Sequence, residues 1–312
     1  MKKIISVSRR TDIPTFYGDW FLKRVQEGFA GYLNPFSKEK YRVSLKKDDV
    51  ECFVFWSKNF IPFLSKLNIL DNLGYKFYFN YTINGYPEIF ERNTEKKDKI
   101  IDNLKLLSDK YSDNHINWRY DPIIISNITD YNFHLKNFEK IAKKIKNSTK
   151  RCITSFIDLY EKVKRNIQIL KNEYNITIQD PGINLKIKLA NDIADIASIY
   201  GIKVYSCCED YLIGSKINKA HCIDRELIKQ LFYNNTGTEL PYRIKPTRKG
   251  CGCTESIDIG IYNTCVHGCI YCYANIDKQI AKVKYREHDV KSIFLGYSKK
   301  DSEKWIKEMI ER

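Results

Sequence analysis

The sequence predicts an α/β fold, a (β/α) barrel of TIM-like type, on three observations. Short β-branched or aromatic runs alternate with longer amphipathic segments, the signature of βα units around a parallel sheet. The length of 312 residues suits one such barrel and is enough to bury a sizeable core. Six consecutive strand candidates end in charged or polar groups, as expected where the carboxyl ends of barrel strands converge on one mouth.

The elements follow in order. A strand over residues 4–8 leads into Arg9-Arg10-Thr11-Asp12 and a helix over 17–27, and residues 31–44 read as a hairpin or edge excursion. A second strand, 52–56, ends in Ser57-Lys58-Asn59 before a helix over 62–72. The third, 76–81, ends in Thr82 and Asn84 before a helix over 95–111. The fourth, 116–120, contains Arg119, runs into Asp121-Pro122 and precedes a helix over 133–146. The fifth, 152–157, contains Ser155 and ends near Asp158, with helices over 161–174 and 185–200 behind it. The sixth, 202–206, ends in Cys207-Cys208-Glu209 and is followed by a helix over 224–232; the seventh, 257–262, precedes a helix from about 274. Crossovers of this length are right-handed and close a barrel or a doubly wound sheet. Asp12 and Asp158 also stand where helix caps stand, so capping is the plain alternative to a functional role for each. Without repeats or a low-complexity linker, residues 1–312 read as a single domain whose 207–280 part is cysteine-rich.

Ten cysteines and no secretory signal argue for metal or redox use of thiols rather than a disulfide framework. Cys52 and Cys152 open apolar β-rich runs and read as small buried thiols. The other eight gather between Cys207 and Cys272. The first residues break on charge too soon for a signal or a span, and no later run is long enough to cross a membrane, so a cytoplasmic location without membrane contact is expected.

The most specific pattern is Thr264-Cys265-Val266-His267-Gly268-Cys269-Ile270-Tyr271-Cys272-Tyr273-Ala274-Asn275. Three closely spaced thiolates, C-x3-C-x2-C, suit a [4Fe-4S] cluster with one iron left open. A zinc knuckle using His267, or a disulfide pair, is the alternative. Zinc sites usually present paired C-x2-C units, so the spacing favours iron–sulfur and makes His267 a neighbour of the cluster rather than a ligand. The pattern resembles that of the radical S-adenosylmethionine enzymes. The resemblance implies that the open iron takes the amino and carboxylate groups of S-adenosylmethionine, that Tyr271 sits beside the adenine, and that a donor such as flavodoxin or ferredoxin supplies the electron. In those enzymes the cluster loop follows the first barrel strand, whereas here it follows the last. A circularly permuted chain builds the same site, because closure makes first and last strands neighbours.

A second group is Cys207 and Cys208, Cys222, and Cys251-Gly252-Cys253. One of the first pair with the other three makes a four-thiolate site, for an auxiliary [4Fe-4S] cluster or for zinc, with His221 able to replace one thiolate. Arg9, Arg10, Lys58 and Arg119 are candidates for anion contacts to a cofactor carboxylate or an acidic substrate. Asp12 shares the Arg-Arg-Thr-Asp turn, and Asp121 and Glu209 are candidates for ribose hydroxyls or substrate amines. The substrate, small molecule or macromolecule, is not legible.

The net charge of +15 raises nucleic-acid binding, which would make this a non-catalytic iron–sulfur or zinc protein. The basic residues are spread along the chain, and net charge speaks to association rather than to function. A metal-dependent hydrolase is disfavoured by five scattered histidines without an H-x-H or H-E-x-x-H set.

Ser6-Val7-Ser8-Arg9-Arg10-Thr11-Asp12-Ile13-Pro14, Phe55-Trp56-Ser57-Lys58-Asn59, Trp118-Arg119-Tyr120-Asp121-Pro122 and the segment from Asp258-Ile259-Gly260 through Asn275 resemble the DUF1848 family. That prokaryotic family has no assigned function, and its C-terminal cysteines have been compared with the radical S-adenosylmethionine cluster. The resemblance runs over essentially the whole chain and implies no substrate.

Overall fold

The computed structural model describes residues 1–37, 39–233 and 239–310. In chain order they form β1 (Lys3–Val7), α1 (Ile13–Phe16), α2 (Gly18–Glu27), β2 (Phe29–Leu33), β3 (Lys40–Ser44), β4 (Val50–Ser57), α3 (Leu64–Asn72), β5 (Phe77–Thr82) and α4 (Lys97–Lys110). Then come β6 (Ile116–Ile123), α5 (Tyr131–Ile145), β7 (Arg151–Phe156), α6 (Glu161–Tyr174), α7 (Gly182–Ile199), β8 (Lys203–Ser206), β9 (Ile217–Lys219) and α8 (Arg225–Phe232). The last elements are β10 (Ile257–Asp258), α9 (Lys278–Glu287) and α10 (Lys299–Ile310). The fold is mixed α/β with a mostly parallel eight-stranded sheet in the order β10-β1-β4-β5-β6-β7-β8-β9, and β2 and β3 form a separate antiparallel hairpin. Among the described residues β10 and β9 are the sheet's edges, so the closed barrel is not seen.

The chain packs as two compact units. Unit 1 comprises Met1–Tyr78, Ser256–Gly268 and Cys272–Arg312; unit 2 comprises Phe79–Glu255 and Cys269–Tyr271.

In unit 1, β1 pairs in parallel with β4 on one side and β10 on the other, Ile5 opposite Ile257 and Ser6 opposite Asp258. Ile4, Ile5, Ser6 and Val7 are all buried, so both faces of β1 lie in the interior, as in parallel strands covered on both sides. Phe21 of α2 packs edge-on against Phe53 and Phe55 of β4, with centroids 5.1 and 5.6 Å away, a geometry that aligns ring edges with π faces. The seventh strand is much shorter than the 257–262 run suggests. The Asp258 carboxylate accepts the Gly260 N–H at 3.0 Å, bending the chain out of the sheet, and Asn263 then takes φ +61°.

In unit 2, β6 pairs with β7, β7 with β8 and β8 with β9, all in parallel. Trp118 of β6 stacks on Phe138 of α5 at 4.6 Å, with its indole N–H on the Ile83 carbonyl at 2.9 Å. Asp130 caps α5 by accepting the Phe133 N–H at 2.7 Å. No helix among the described residues is long and apolar enough to cross a membrane.

Candidate functional site

In unit 1 two buried carboxylates organise the turn after β1. Asp258, at the end of β10, accepts Ser6 Oγ at 2.8 Å, Ser8 Oγ at 2.5 Å and the Arg9 N–H at 2.9 Å, with Arg9 Nε at 3.5 Å. Burial works against its charge, but the Arg9 and Arg10 cations and these donors outweigh it and hold its carboxyl below the usual range. Gly260 is required beside it, since a Cβ there would lie 1.9 Å from Ser8 Oγ. Arg10 donates to the carbonyls of Leu33 at 3.0 Å and Gly260 at 3.3 Å.

The second carboxylate is Asp12. Its Oδ1 accepts the Thr15 N–H at 3.0 Å and Ser57 Oγ at 2.7 Å. Its Oδ2 accepts the Lys58 N–H at 2.9 Å and lies 2.7 Å from His267 Nε2. Asp12 therefore caps α1, as the plain reading held, and also anchors the cysteine loop. Burial opposes its charge, and His267 with the other donors more than compensates, so its carboxyl titrates below the usual range. Lys58 enters through its main chain here. Further ties bind the same loop within unit 1: Tyr17 OH donates to the Thr264 carbonyl at 2.7 Å, Tyr273 OH to the Arg9 carbonyl at 2.5 Å, and Asn275 Nδ2 to the Cys265 carbonyl at 2.6 Å. The Cys272 sulfur accepts the Ala274 N–H at 3.3 Å, a donor placed to favour a thiolate.

Cys265 and Cys272 thus belong to unit 1, and Cys269-Ile270-Tyr271 to unit 2. There Ile270 packs with Phe90, Ile124, Leu170 and Ile176, its N–H on the Phe90 carbonyl at 3.1 Å. Tyr271 OH donates to Glu91 and accepts Asn84 Nδ2 at 3.0 Å. Burial first, and then the Glu91 charge, push its phenol far above the usual range.

The strand ends of unit 2 carry the remaining candidates. Asp121, just past Arg119 in β6, pairs with the Arg119 guanidinium and accepts Ser155 Oγ of β7. Arg119 Nη1 donates to Cys222 Sγ at 2.9 Å. Glu209 accepts the Phe156 N–H at 2.8 Å and Tyr211 OH at 2.7 Å, and burial raises its carboxyl above the usual range. Asp158 does not cap α6, whose N-cap is Tyr160, but pairs with Arg248.

The five cysteines of the second group meet in a ring. Cys207 Sγ lies 3.7 Å from Cys208 Sγ and 3.8 Å from Cys222 Sγ. Cys208 also meets Cys251, Cys251 meets Cys253, and Cys253 meets Cys222. Arg248 Nε donates to Cys208 Sγ at 3.0 Å. Gly250, at φ +75°, lets the segment before Cys251 pass where a Cβ would lie 2.8 Å from the Cys208 carbonyl oxygen. Beside the ring, His221 Nδ1 faces the Gly252 carbonyl at 2.5 Å. None of the ten cysteines is in a disulfide. Burial pushes the Cys52 and Cys152 thiols well up, as inert packed thiols require. Among the described residues, no three His, Cys, Asp or Glu side chains are already closed about a point able to hold a metal ion.

Sequence reasoning missed Asp258, Arg248, Glu91 and Asn84 as parts of these networks. Asp258-Ile259-Gly260 was a visible motif at a strand end, and Arg248 stands three residues before Cys251; Glu91 carried no local signal.

Fold and cysteine networks together define a mixed α/β protein whose clustered cysteines follow β8 and β9 and flank β10 in sequence. The chain belongs to the DUF1848 family: the family's sequence model, described as a domain of unknown function, matches residues 4–274. No curated protein matches it. Among solved structures it is similar to the D-hydantoinase of Bacillus sp. AR9, at 11% identity and TM-score 0.28 over 53% of this chain and 36% of that one. Another D-hydantoinase structure matches at 9% identity and TM-score 0.28, over 52% of this chain and 34% of that one. A structure described as a putative alpha-L-fucosidase from Bacteroides thetaiotaomicron VPI-5482 matches at 9% identity and TM-score 0.30, over 78% of this chain and 85% of that one. The chain thus spans about a third of the hydantoinase chains.

Proposed function

We propose that this protein is a radical S-adenosylmethionine enzyme in which Cys265, Cys269 and Cys272 hold a [4Fe-4S] cluster. The observation that carries the reading is the C-x3-C-x2-C loop directly after β10, the strand that runs parallel beside β1. That pairing is also what supports a barrel-type sheet in permuted order. The donor set fits the group: three soft thiols within eight residues, none in a disulfide, and no fourth cysteine in the loop.

A [4Fe-4S] cluster held by Cys265, Cys269 and Cys272 would supply the electron for reductive cleavage of S-adenosylmethionine to methionine and a 5′-deoxyadenosyl radical able to abstract a substrate hydrogen. The residues of this chain position and shield. Asp12 fixes the loop through His267, and Asp258 fixes the Arg9-Arg10 turn. The guanidiniums of Arg9 and Arg10 already serve Asp258 and main-chain carbonyls, so a carboxylate ligand reaches them only by sharing those donors. The test is anaerobic reconstitution with iron and sulfide, then reduction in the presence of S-adenosylmethionine. Release of 5′-deoxyadenosine supports the reading; reconstituted protein that binds no iron at these cysteines overturns it.

A further inference from the structure

We propose that the five-thiol ring of unit 2 is a zinc site, in which four of Cys207, Cys208, Cys222, Cys251 and Cys253 coordinate one zinc ion and Arg119 and Arg248 act as outer donors to its sulfurs. This goes beyond the proposed enzyme activity and does not rest on it, because the two cysteine groups share no residue.

Spacing is the first argument. Four thiolates about 2.3 Å from a tetrahedral zinc stand about 3.8 Å from one another. The Sγ separations of 3.7 Å for Cys207–Cys208 and 3.8 Å for Cys207–Cys222 match that edge. On a four-iron cluster each thiolate binds a different iron, and the sulfurs stand further apart. Among the described residues no three ligand side chains are yet placed to hold a metal ion, so coordination turns four of the ring's side chains inward and leaves one over.

Hydrogen-bond donors gather around the ring sulfurs. Guanidinium N–H groups donate to two ring sulfurs, Arg119 Nη1 to Cys222 at 2.9 Å and Arg248 Nε to Cys208 at 3.0 Å. The Cys253 N–H and Thr247 Oγ1 reach Cys251 Sγ at 3.4 and 3.6 Å. Donors gathered on sulfur favour thiolates, and thiolates packed side by side repel unless a cation lies among them. Each guanidinium is itself held by an aspartate, Asp121 for Arg119 and Asp158 for Arg248, so its direction is set independently of the ring.

Topology is the third argument. Cys207 and Cys208 follow β8, Cys222 follows β9, and Cys251 and Cys253 precede β10. One ion would join three separate segments, which is how a structural zinc contributes to folding.

The experiment is metal and sulfide analysis of anaerobically purified full-length protein, with zinc-edge X-ray absorption. We expect about one zinc per chain in a shell of four sulfurs, retained when Cys265, Cys269 and Cys272 are all replaced by Ala. Cys222→Ser and Cys253→Ser should each lower zinc affinity at least tenfold in a chelator competition. Arg119→Gln should lower it by roughly 10- to 100-fold with the sulfur shell intact. Should the serine variants fail to fold, absorption on the unmodified protein still decides. Zinc without a four-sulfur shell overturns the proposal, as do absence of zinc and iron with sulfide that persists after loss of the three loop cysteines. A chain that holds this zinc yet never cleaves S-adenosylmethionine would retain this proposal and lose the enzymatic one.

Discussion

Replacing Asp12 tests how the cysteine loop is held. Its carboxylate is almost fully buried and meets four groups, the N–H of Thr15, the hydroxyl of Ser57, the N–H of Lys58 and Nε2 of His267. Hydrogen bonds to a charged acceptor are worth about 1.5 to 3 kcal/mol each, and they do not add when they share one acceptor. Removing that acceptor strands two half-buried N–H groups and takes the carboxylate away from His267 and Ser57, so Asp12→Ala should cost about 3 to 5 kcal/mol. Asp12→Asn keeps the shape but not the chemistry. Each carboxylate oxygen faces one main-chain N–H, so either orientation of the amide sets an NH2 against a donor, at a cost of roughly 2 to 3 kcal/mol. The assay is urea unfolding at constant m, paired with iron content after anaerobic reconstitution. Stability should fall in the order wild type, Asn, Ala, and iron content should fall with it. An Asn variant within about 0.5 kcal/mol of wild type and with full iron would refute the anchoring role.

The other predictions concern titration, packing and ligands. Burial pushes His134 from 6.5 down to about 4 while its ring nitrogens face Tyr120 OH and the Ile124 carbonyl. Between those values the unfolded chain binds a proton that the folded chain refuses. The stabilisation is therefore complete above pH 6.5 and lost as pH falls toward 4, by about 3 kcal/mol; His134→Gln should flatten that part of the stability–pH curve, and an unchanged slope would contradict it. Asp12 and Asp258 titrate below 3.8, so their contribution is present above that value and fades at lower pH, and Asp258→Asn should remove its share in acid unfolding curves. Gly260→Ala sets a methyl against Ser8, and overpacking of about 2 to 4 kcal/mol should appear as a lowered melting temperature, partly restored by the Ser8→Gly, Gly260→Ala double variant. Single Ala replacements of Cys265, Cys269 or Cys272 should abolish iron at the loop cluster, since three ligands leave none to spare, and full iron content after loss of Cys269 would contradict the assignment.

Much of the fold was legible because the strands are short apolar runs and the helices are strongly amphipathic. Residues 161–174 form α6 as expected, and the 31–44 excursion is the β2–β3 hairpin. The pairing of the first and last strands followed from reading the cysteine loop against a barrel, and β1 does run parallel to β10. The short elements were not legible. β9 has three residues, too few for a period, and α1 hides behind Pro14, which fits the first turn of a helix but reads as a breaker. The helix after the cysteine loop begins at Lys278 rather than near 274, because Asp277 accepts the Gln279 N–H and fixes the start. In the candidate site, residue types were legible and partners were not. Arg119 was visible at a strand end, yet only the folded chain turns its guanidinium onto Asp121 and Cys222. Asp258 looked like a strand residue, and its role depends on Ser6, Ser8 and Arg9 lying beside it from the other end of the chain.

The most direct test of the central claim is reductive cleavage of S-adenosylmethionine by anaerobically reconstituted protein, followed by chromatography of the products. The account predicts 5′-deoxyadenosine and methionine in equal amounts, dependent on reductant and lost in the Cys265→Ala, Cys269→Ala and Cys272→Ala variants. A protein that carries a complete [4Fe-4S] cluster on these three cysteines, takes up an electron and leaves S-adenosylmethionine intact, with and without cell-extract metabolites as substrate, would contradict it.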